Sequence, residues 1–202
     1  MIEIVRPILD QSYFYELYHR LIGANYRSRV LVSEYIRPNP SDYILDIGCG
    51  PGNMLPFLPP CHYLGVDVNP SYIKTAQQRY GNRGQFVCER VSHHNVSELG
   101  AFDIVLALGL THHLDDDEAR NLFRLGHSAL KPGGRLITND GCYTKNQSRV
   151  ERYLLARDRG RFVRTERAYL ELAHSWFQEV IPHLRTDVLR IPYTHLIMEC
   201  VR

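Results

Sequence analysis

The stretch from Asp42 to Asn53, DYILDIGCGPGN, constrains this chain more than any other. Tyr43, Ile44, Leu45 and Ile47 make a short apolar run that reads as a buried strand, with Asp46 near its tip. Gly48, Gly50 and Gly52 then take every second position. Glycines crowded behind a strand let the backbone turn sharply and approach a ligand beyond the carboxyl end of a parallel sheet. A dinucleotide turn has the spacing GxGxxG and sets a pyrophosphate on a helix N-terminus, where the Asp46 carboxylate would repel it. A phosphate loop continues into Gly-Lys-Ser/Thr, and no lysine follows Gly52. The turn therefore suits a ligand with a positive charge.

The second strand narrows the choice. HYLGVD, residues 62–67, ends on Asp67, at the tip where a carboxylate usually pairs with ribose hydroxyls. A ribose with no pyrophosphate beside it, joined to a cationic tail, describes S-adenosylmethionine.

The remaining pattern alternates strand and helix. Residues 12–36 read as helical and stop before Pro38 and Pro40. Asn69-Pro70 opens a helix running to about Tyr80, with Asn69 as its N-cap. QFVCE and FDIVLAL read as strands three and four, and LDDDEARNLFRLGHSAL as an amphipathic helix stopped by KPGG. RLITND reads as strand five, residues 143–180 as helical, and TDVLRI with THLIMECV as a closing antiparallel pair. This is the pattern of a doubly wound α/β sheet. With 202 residues, 44% hydrophobic, one domain with a full core is expected. The net charge of +2 gives no overall polyanion signal. No stretch approaches the roughly 18 apolar residues of a membrane span. The N-terminus reads as neither signal nor transit peptide, and the five scattered cysteines give no zinc or disulfide pattern. A soluble cytoplasmic protein without membrane partner or metal is expected.

With these pieces in place, the chain resembles the class I S-adenosylmethionine-dependent methyltransferases. LDIGCGPGN, GVDVNP, FDIVLALGLTHHL and LKPGGRLI follow one another in the family's order between residues 44 and 137. The resemblance implies a Rossmann-like, seven-stranded, mostly parallel sheet with an antiparallel last strand, and methyl transfer from S-adenosylmethionine. It implies one methyltransferase domain over residues 1–202, with a helical lid over 1–40 and an acceptor-side insert over 141–180. By the same resemblance Asp46, Gly48, Cys49 and Gly50 hold the methionine part of the cofactor. Asp67 takes the ribose, Val68 packs on the adenine, and Leu108 and Gly109 face the reacting methyl. One position departs from the pattern. Relatives end strand three on an acid for the adenine amino group; here Arg90 falls there, with Glu89 one place earlier. Arginine cannot accept a hydrogen bond, so Glu89 or a backbone carbonyl replaces the acid, or affinity falls.

Candidates for the chemistry cluster after strands four and five. His112 and His113 are possible general bases, histidine being the side chain that titrates near neutral pH; the competing reading is that one merely packs or caps the loop. Asp115 to Glu118 look like a metal cluster but sit where carboxylates cap a helix and complement its dipole. His93 and His94 read as solvated loop. Tyr13, Tyr15 and Tyr26 are candidates to close over the ligand and exclude water. Residues 142–167 carry eight basic residues against three acids, a local +5. That charge suits an anionic acceptor, with Arg157 among its contacts, or equally a solvated helical face. Asp140 and Tyr143, at the tip of strand five, face the same expected pocket.

Strand four runs into LGLT, without the Asn/Asp-Pro-Pro-aromatic run of base-amine methyltransferases. A Pro-Cys nucleophile and an appended RNA-binding module are missing as well. The expected acceptor is thus a small molecule methylated on oxygen or nitrogen. Two alternatives stay open: a tRNA or protein methyltransferase gripping its partner with the arginine-rich insert, and a non-catalytic partner protein that binds S-adenosylmethionine, a reading that Arg90 keeps alive.

Overall fold

The computed structural model describes residues 23–90, 101–157 and 160–202. Helix α1 (Ala24–Val30) starts behind Gly23, which has φ 88°, and runs on as a π-helical stretch, Leu31–Ile36. Arg37 ends it in the left-handed region just before Pro38, where the prolines called for a stop. Strands β1 (Tyr43–Ile47), β2 (His62–Asp67), β3 (Gln85–Cys88), β4 (Phe102–Leu108) and β5 (Leu130–Tyr143) then form the parallel part of the sheet. Between β1 and β2 the proline-rich segment makes only a 3₁₀ turn, Leu55–Phe57. Helix α2 (Pro70–Tyr80) begins as expected: Asn69 Oδ1 accepts from the Ser71 amide at 2.9 Å and Pro70 fills the first helical position. Helix α3 (Asp116–Ala129) links β4 to β5, and α4 (Arg149–Ala156), the short strand β6 (Arg164–Thr165) and α5 (Glu166–His174) follow β5. Strands β7 (Glu179–Arg185) and β8 (His195–Val201) close the sheet, β8 running antiparallel to both its neighbours. The order is β3-β2-β1-β4-β5-β8-β7, with β6 pairing the far end of β5 off this path.

Two expectations need correction. KPGG does not follow α3 as a separate stop; the helix ends at Ala129, and these residues form an irregularity inside β5, between the Phe102–Leu130 and Ile104–Arg135 pairings. TDVLRI is not a strand. The strand is the preceding EVIPHLR, which carries Pro182. β7 is an edge strand, and an edge tolerates the missing N–H. Val188 of TDVLRI instead packs, fully buried, into the cluster under α1.

Both faces of the sheet are covered. Leu45, Val105 and Leu136 pack against Leu122 and Phe123 of α3 and Tyr169 of α5. On the opposite face Ile44, Leu106, Ile137 and Ile197 pack against Leu31 and Ile36. Arg135 fastens that second layer, donating to the carbonyls of Tyr35 at 2.9 Å and Ile36 at 2.7 Å, where a helix end leaves acceptors unsatisfied. Buried Glu199 gathers Arg37, Arg135 and His183 around it. Among the described residues no helix is long and apolar enough to cross a membrane. Tyr13 and Tyr15 of the expected lid lie outside the described residues, as do His93 and His94.

Candidate active site

The turn after β1 is a backbone cradle. Gly48, Gly50 and Gly52 have φ of 74°, 55° and 77°, a region that residues with a side chain rarely enter. Two of its amides are spent on the neighbouring strand: Gly48 N and Cys49 N donate to the Val66 carbonyl at 2.8 and 3.1 Å. A third, Gly50 N, donates to Asp67 Oδ2 at 2.9 Å, while Asp67 Oδ1 accepts from Asn69 N at 2.8 Å. The acid at the tip of β2 thus fixes both the turn and its own loop, and each oxygen keeps a second acceptor site. A Cβ added to Gly50 would meet nothing within 4 Å, so the cradle faces open space there. Val68, next to Asp67, is 62% exposed and offers an apolar surface beside that space.

Asp46 lies beneath this turn and is 3% exposed. Tyr63 OH donates to its Oδ2 at 2.6 Å. Burial pushes its carboxyl up to about 6, opposed by the Tyr63 bond and reinforced by the Asp67 charge. Burial, and then the charges of Asp46 and Asp67, also push the Cys49 thiol well up, so Cys49 is no thiolate nucleophile. The end of β3 is where the adenine contact is expected. Glu89 and Arg90 are both exposed, and Arg90 Nη1 lies 3.2 Å from Glu118 Oε1 in the first turn of α3.

A second constellation stands at the tips of β4 and β5. β4 ends at Leu108, Gly109 turns with φ 72°, and Thr111–His113 form a single 3₁₀ turn. The turn buries His112 and leaves His113 exposed. His112 Nδ1 lies 2.7 Å from Asp140 Oδ1, and the backbone N–H of His112 donates to the same oxygen at 3.1 Å. Asp140, on β5, is 2% exposed. The imidazole sits between two glycines: its Cε1 is 3.9 Å from where a Cβ would stand on Gly109, and a Cβ on Gly160 would clash with the ring. The two histidines separate into a buried member tied to an acid and a solvent-facing one.

The insert packs onto this pair. Phe162 N donates to the His112 carbonyl at 2.9 Å. Arg164, a member of the basic run, donates to the carbonyls of Thr111 at 3.1 Å and Leu114 at 2.8 Å and to Asp116 Oδ1 at 2.7 Å. Its charge clamps the His112 loop and is not offered to a ligand. Tyr143, Leu155, Ala156, Gly160, Arg161 and Val163 line a cleft of about 380 Å³. Arg157 stacks over the Tyr153 ring at 5.2 Å, and Arg152 over Tyr143 at 5.6 Å; neither lines the cleft. Tyr26 is 55% exposed on α1. Each acid at the start of α3 has a partner: Asp115 caps Glu118 N, Asp116 takes Arg164, Asp117 takes Arg120 and Glu118 takes Arg90. Arg164 and Gly160 carried no signal in the sequence, because their partners lie about fifty residues away along the chain.

Residues 44–134 match a family model described as a methyltransferase domain. A probable fatty acid methyltransferase of Mycobacterium tuberculosis is 30% identical over 59% of this chain and 28% of its own length. A phosphoethanolamine N-methyltransferase of Arabidopsis thaliana is 27% identical over 76% of this chain and 32% of its own. This chain therefore spans about a third of these curated relatives. In three dimensions a TehB-like SAM-dependent methyltransferase from Corynebacterium glutamicum superposes with a TM-score of 0.62 at 18% identity, over 97% of this chain and 100% of that one. The matched region, the relatives and the fold together support a class I S-adenosylmethionine-dependent methyltransferase domain over residues 44–134. S-adenosylmethionine is the cofactor of this methyltransferase family, and the cradle fits it on its own terms. The open face of Gly50, the Asp67 carboxylate and the exposed Val68 offer a backbone surface, a diol partner and an apolar shelf in sequence.

Proposed function

We propose that this methyltransferase transfers a methyl group from S-adenosylmethionine to an oxygen or nitrogen of a small anionic molecule. The buried His112–Asp140 pair beside Gly109 carries the reading. When bound, the cofactor supplies an electrophilic methyl on a sulfonium. Asp67 holds the ribose, Gly48, Cys49 and Gly50 surround the methionine part, and ionised Asp46 is the buried charge opposite its cationic tail. With Nδ1 donating to Asp140, Nε2 is the basic nitrogen of His112 and takes the acceptor's proton as its oxygen or nitrogen attacks. Asp140 holds the ring in that tautomer and offsets the imidazolium that forms. Two things support an anionic acceptor. Arg161 lines the cleft next to Gly160, and the relatives' names give a fatty acid, which carries a carboxylate, and phosphoethanolamine, which carries a phosphate.

The test is transfer of labelled methyl from S-adenosylmethionine into cell extract separated into small molecules, nucleic acid and protein. Label is expected in the small-molecule fraction. His112→Ala is expected to lower it by about 10²–10⁴-fold with cofactor affinity unchanged, the span of a lost general base. Label confined to nucleic acid or protein would replace this reading with the macromolecular one.

A further inference from the structure

Several buried polar atoms near the strand tips have no hydrogen-bond partner among the described residues, Thr111 Oγ1, Thr138 Oγ1 and Asp140 Oδ2 among them, and Asn139 Oδ1 is the one whose strand face is shared with the cofactor cradle. Asn139 precedes Asp140 on β5 and is 3% exposed. Its Oδ1 is buried with no hydrogen-bond partner among the described residues. A buried amide oxygen in that condition destabilises a fold, and an apolar side chain of the same size would not. Residues that cost stability in this way concentrate where function needs them.

Its position says which function. Asn139 pairs in register with Leu108 across the β4–β5 ladder, and its carbonyl accepts from Gly109 N at 2.8 Å. Side chains alternate along a strand. Asn139 therefore shares the face of Ile137, on which Leu106 and Ile44 also lie, and Leu108 packs against that same cluster. The same alternation puts Asp46 on that face, two residues beyond Ile44. Asn139 thus stands beside the end of β4 that faces the reacting methyl, on the same face as the acid of the cofactor cradle. A second acceptor in the turn beyond β5 shares its condition. Gln147 Oε1 is buried without a partner among the described residues, while its Nε2 is pinned to the Cys142 carbonyl at 2.7 Å and to Thr194 Oγ1 at 2.9 Å. With the nitrogen so held, the direction of the oxygen is set.

We propose that Asn139 positions the acceptor, its Oδ1 accepting a hydrogen bond from a hydroxyl or amine that the acceptor carries near the methylated atom, with Gln147 Oε1 receiving a further donor. This rests on the small-molecule reading above and sharpens it: the acceptor is a polyol, amino alcohol or polyphenol type of molecule, and a compound whose only polar group is its anion fits poorly. An ordered water could satisfy the same oxygen, and substitution separates the two cases.

Asn139→Leu keeps the volume and removes the amide. Labelled methyl entering the small-molecule fraction of cell extract is expected to fall at least tenfold. S-adenosylmethionine affinity by calorimetry stays within twofold of wild type, and Tm stays level or rises. Asn139→Asp keeps an acceptor oxygen and retains more transfer than the leucine variant. Transfer by Asn139→Leu within twofold of wild type overturns the proposal, as does loss of cofactor binding, or a lowered Tm with transfer lost only in proportion to unfolded protein. A wild-type protein that binds cofactor but labels no fraction removes the catalytic reading itself, and does so without reference to the variant.

Discussion

The proposed cofactor and acceptor halves of the site lie at the carboxyl ends of the parallel strands and are built by opposite means. The cofactor half is backbone and near neighbours: the glycine turn, its amides on Val66, and Asp67 holding Gly50 and Asn69, all within residues 46–69. The acceptor half is side chains reaching across the chain. His112 and Asp140 are 28 residues apart, Gln147 and Thr194 are 47, and Arg164 and Thr111 are 53. A turn with left-handed glycines has few sequences that can make it, so a cradle for a shared ligand recurs recognisably. Long-range side-chain contacts can be rebuilt in many ways around one scaffold, which suits the half that must differ between acceptors.

The largest effect that separates the halves belongs to Asp67→Ala. It removes the proposed partner of the ribose and frees Gly50 N and Asn69 N from their carboxylate. Two ribose hydrogen bonds to a charged group are worth about 3–6 kcal/mol, so cofactor affinity should fall on the order of 10²–10⁴-fold in a calorimeter. Normal binding would show that the tip of β2 is not the anchor. Gly160→Ala attacks the other half alone. Its Cβ would stand 2.8 Å from the His112 carbonyl oxygen and drive into the ring. The imidazole must shift, and a displacement near 1 Å costs about 10²-fold in rate. Single-turnover transfer should drop by that order with cofactor affinity intact; equal loss of both would mean that the halves are mechanically one.

Asp46 gives the next effect, and it depends on pH. Burial raises its carboxyl from 3.8 to about 6 in the fold. A raised acid stabilises the folded state at low pH, and that contribution is lost as pH rises through the folded value. The ligand-free protein should therefore gain stability from this group between about pH 7 and pH 4. The cationic cofactor needs the ionised form, so its affinity should weaken by up to about tenfold per unit below pH 6, the slope of one proton. Asp46→Asn should be more stable than wild type at pH 8 and insensitive to pH in this range. Parallel pH curves for the two proteins would show that the buried carboxylate plays no part in binding.

What the sequence made legible follows the same division. Asn69 as a cap, the limits of β4, and the turn after β1 all depend on residues within a few positions of each other, and all lie where the pattern put them. The pattern placed β7 wrongly because Pro182 looks the same in an edge strand as in a loop, and only the finished sheet reveals the edge. His112 and His113 were equivalent as letters. The 3₁₀ turn and Asp140 distinguish them, and Asp140 belongs to a strand that begins 17 residues after His113. The arginine count of the insert was visible; its division into clamp, aromatic stack and cleft was not.

That division supplies the smallest effect. Composition treats Arg157, Arg161 and Arg164 as three equal charges, and long-range attraction of an anion would use them equally. The fold does not. Arg164 is partly buried against the His112 loop, Arg157 lies on an exposed tyrosine ring, and Arg161 alone of the three lines the cleft. If the cleft takes the anionic part of the acceptor, Arg161→Ala should raise acceptor KM about three- to tenfold at unchanged kcat, the loss of an ion pair that acts before and during transfer alike. Arg157→Ala should leave both constants within about twofold. Increasing salt should erode the wild-type advantage over Arg161→Ala, because screening weakens exposed charge pairs first. Equal small losses from both substitutions would mean that the insert acts only through its summed field, and the acceptor half would then be less specific than its hydrogen bonds suggest.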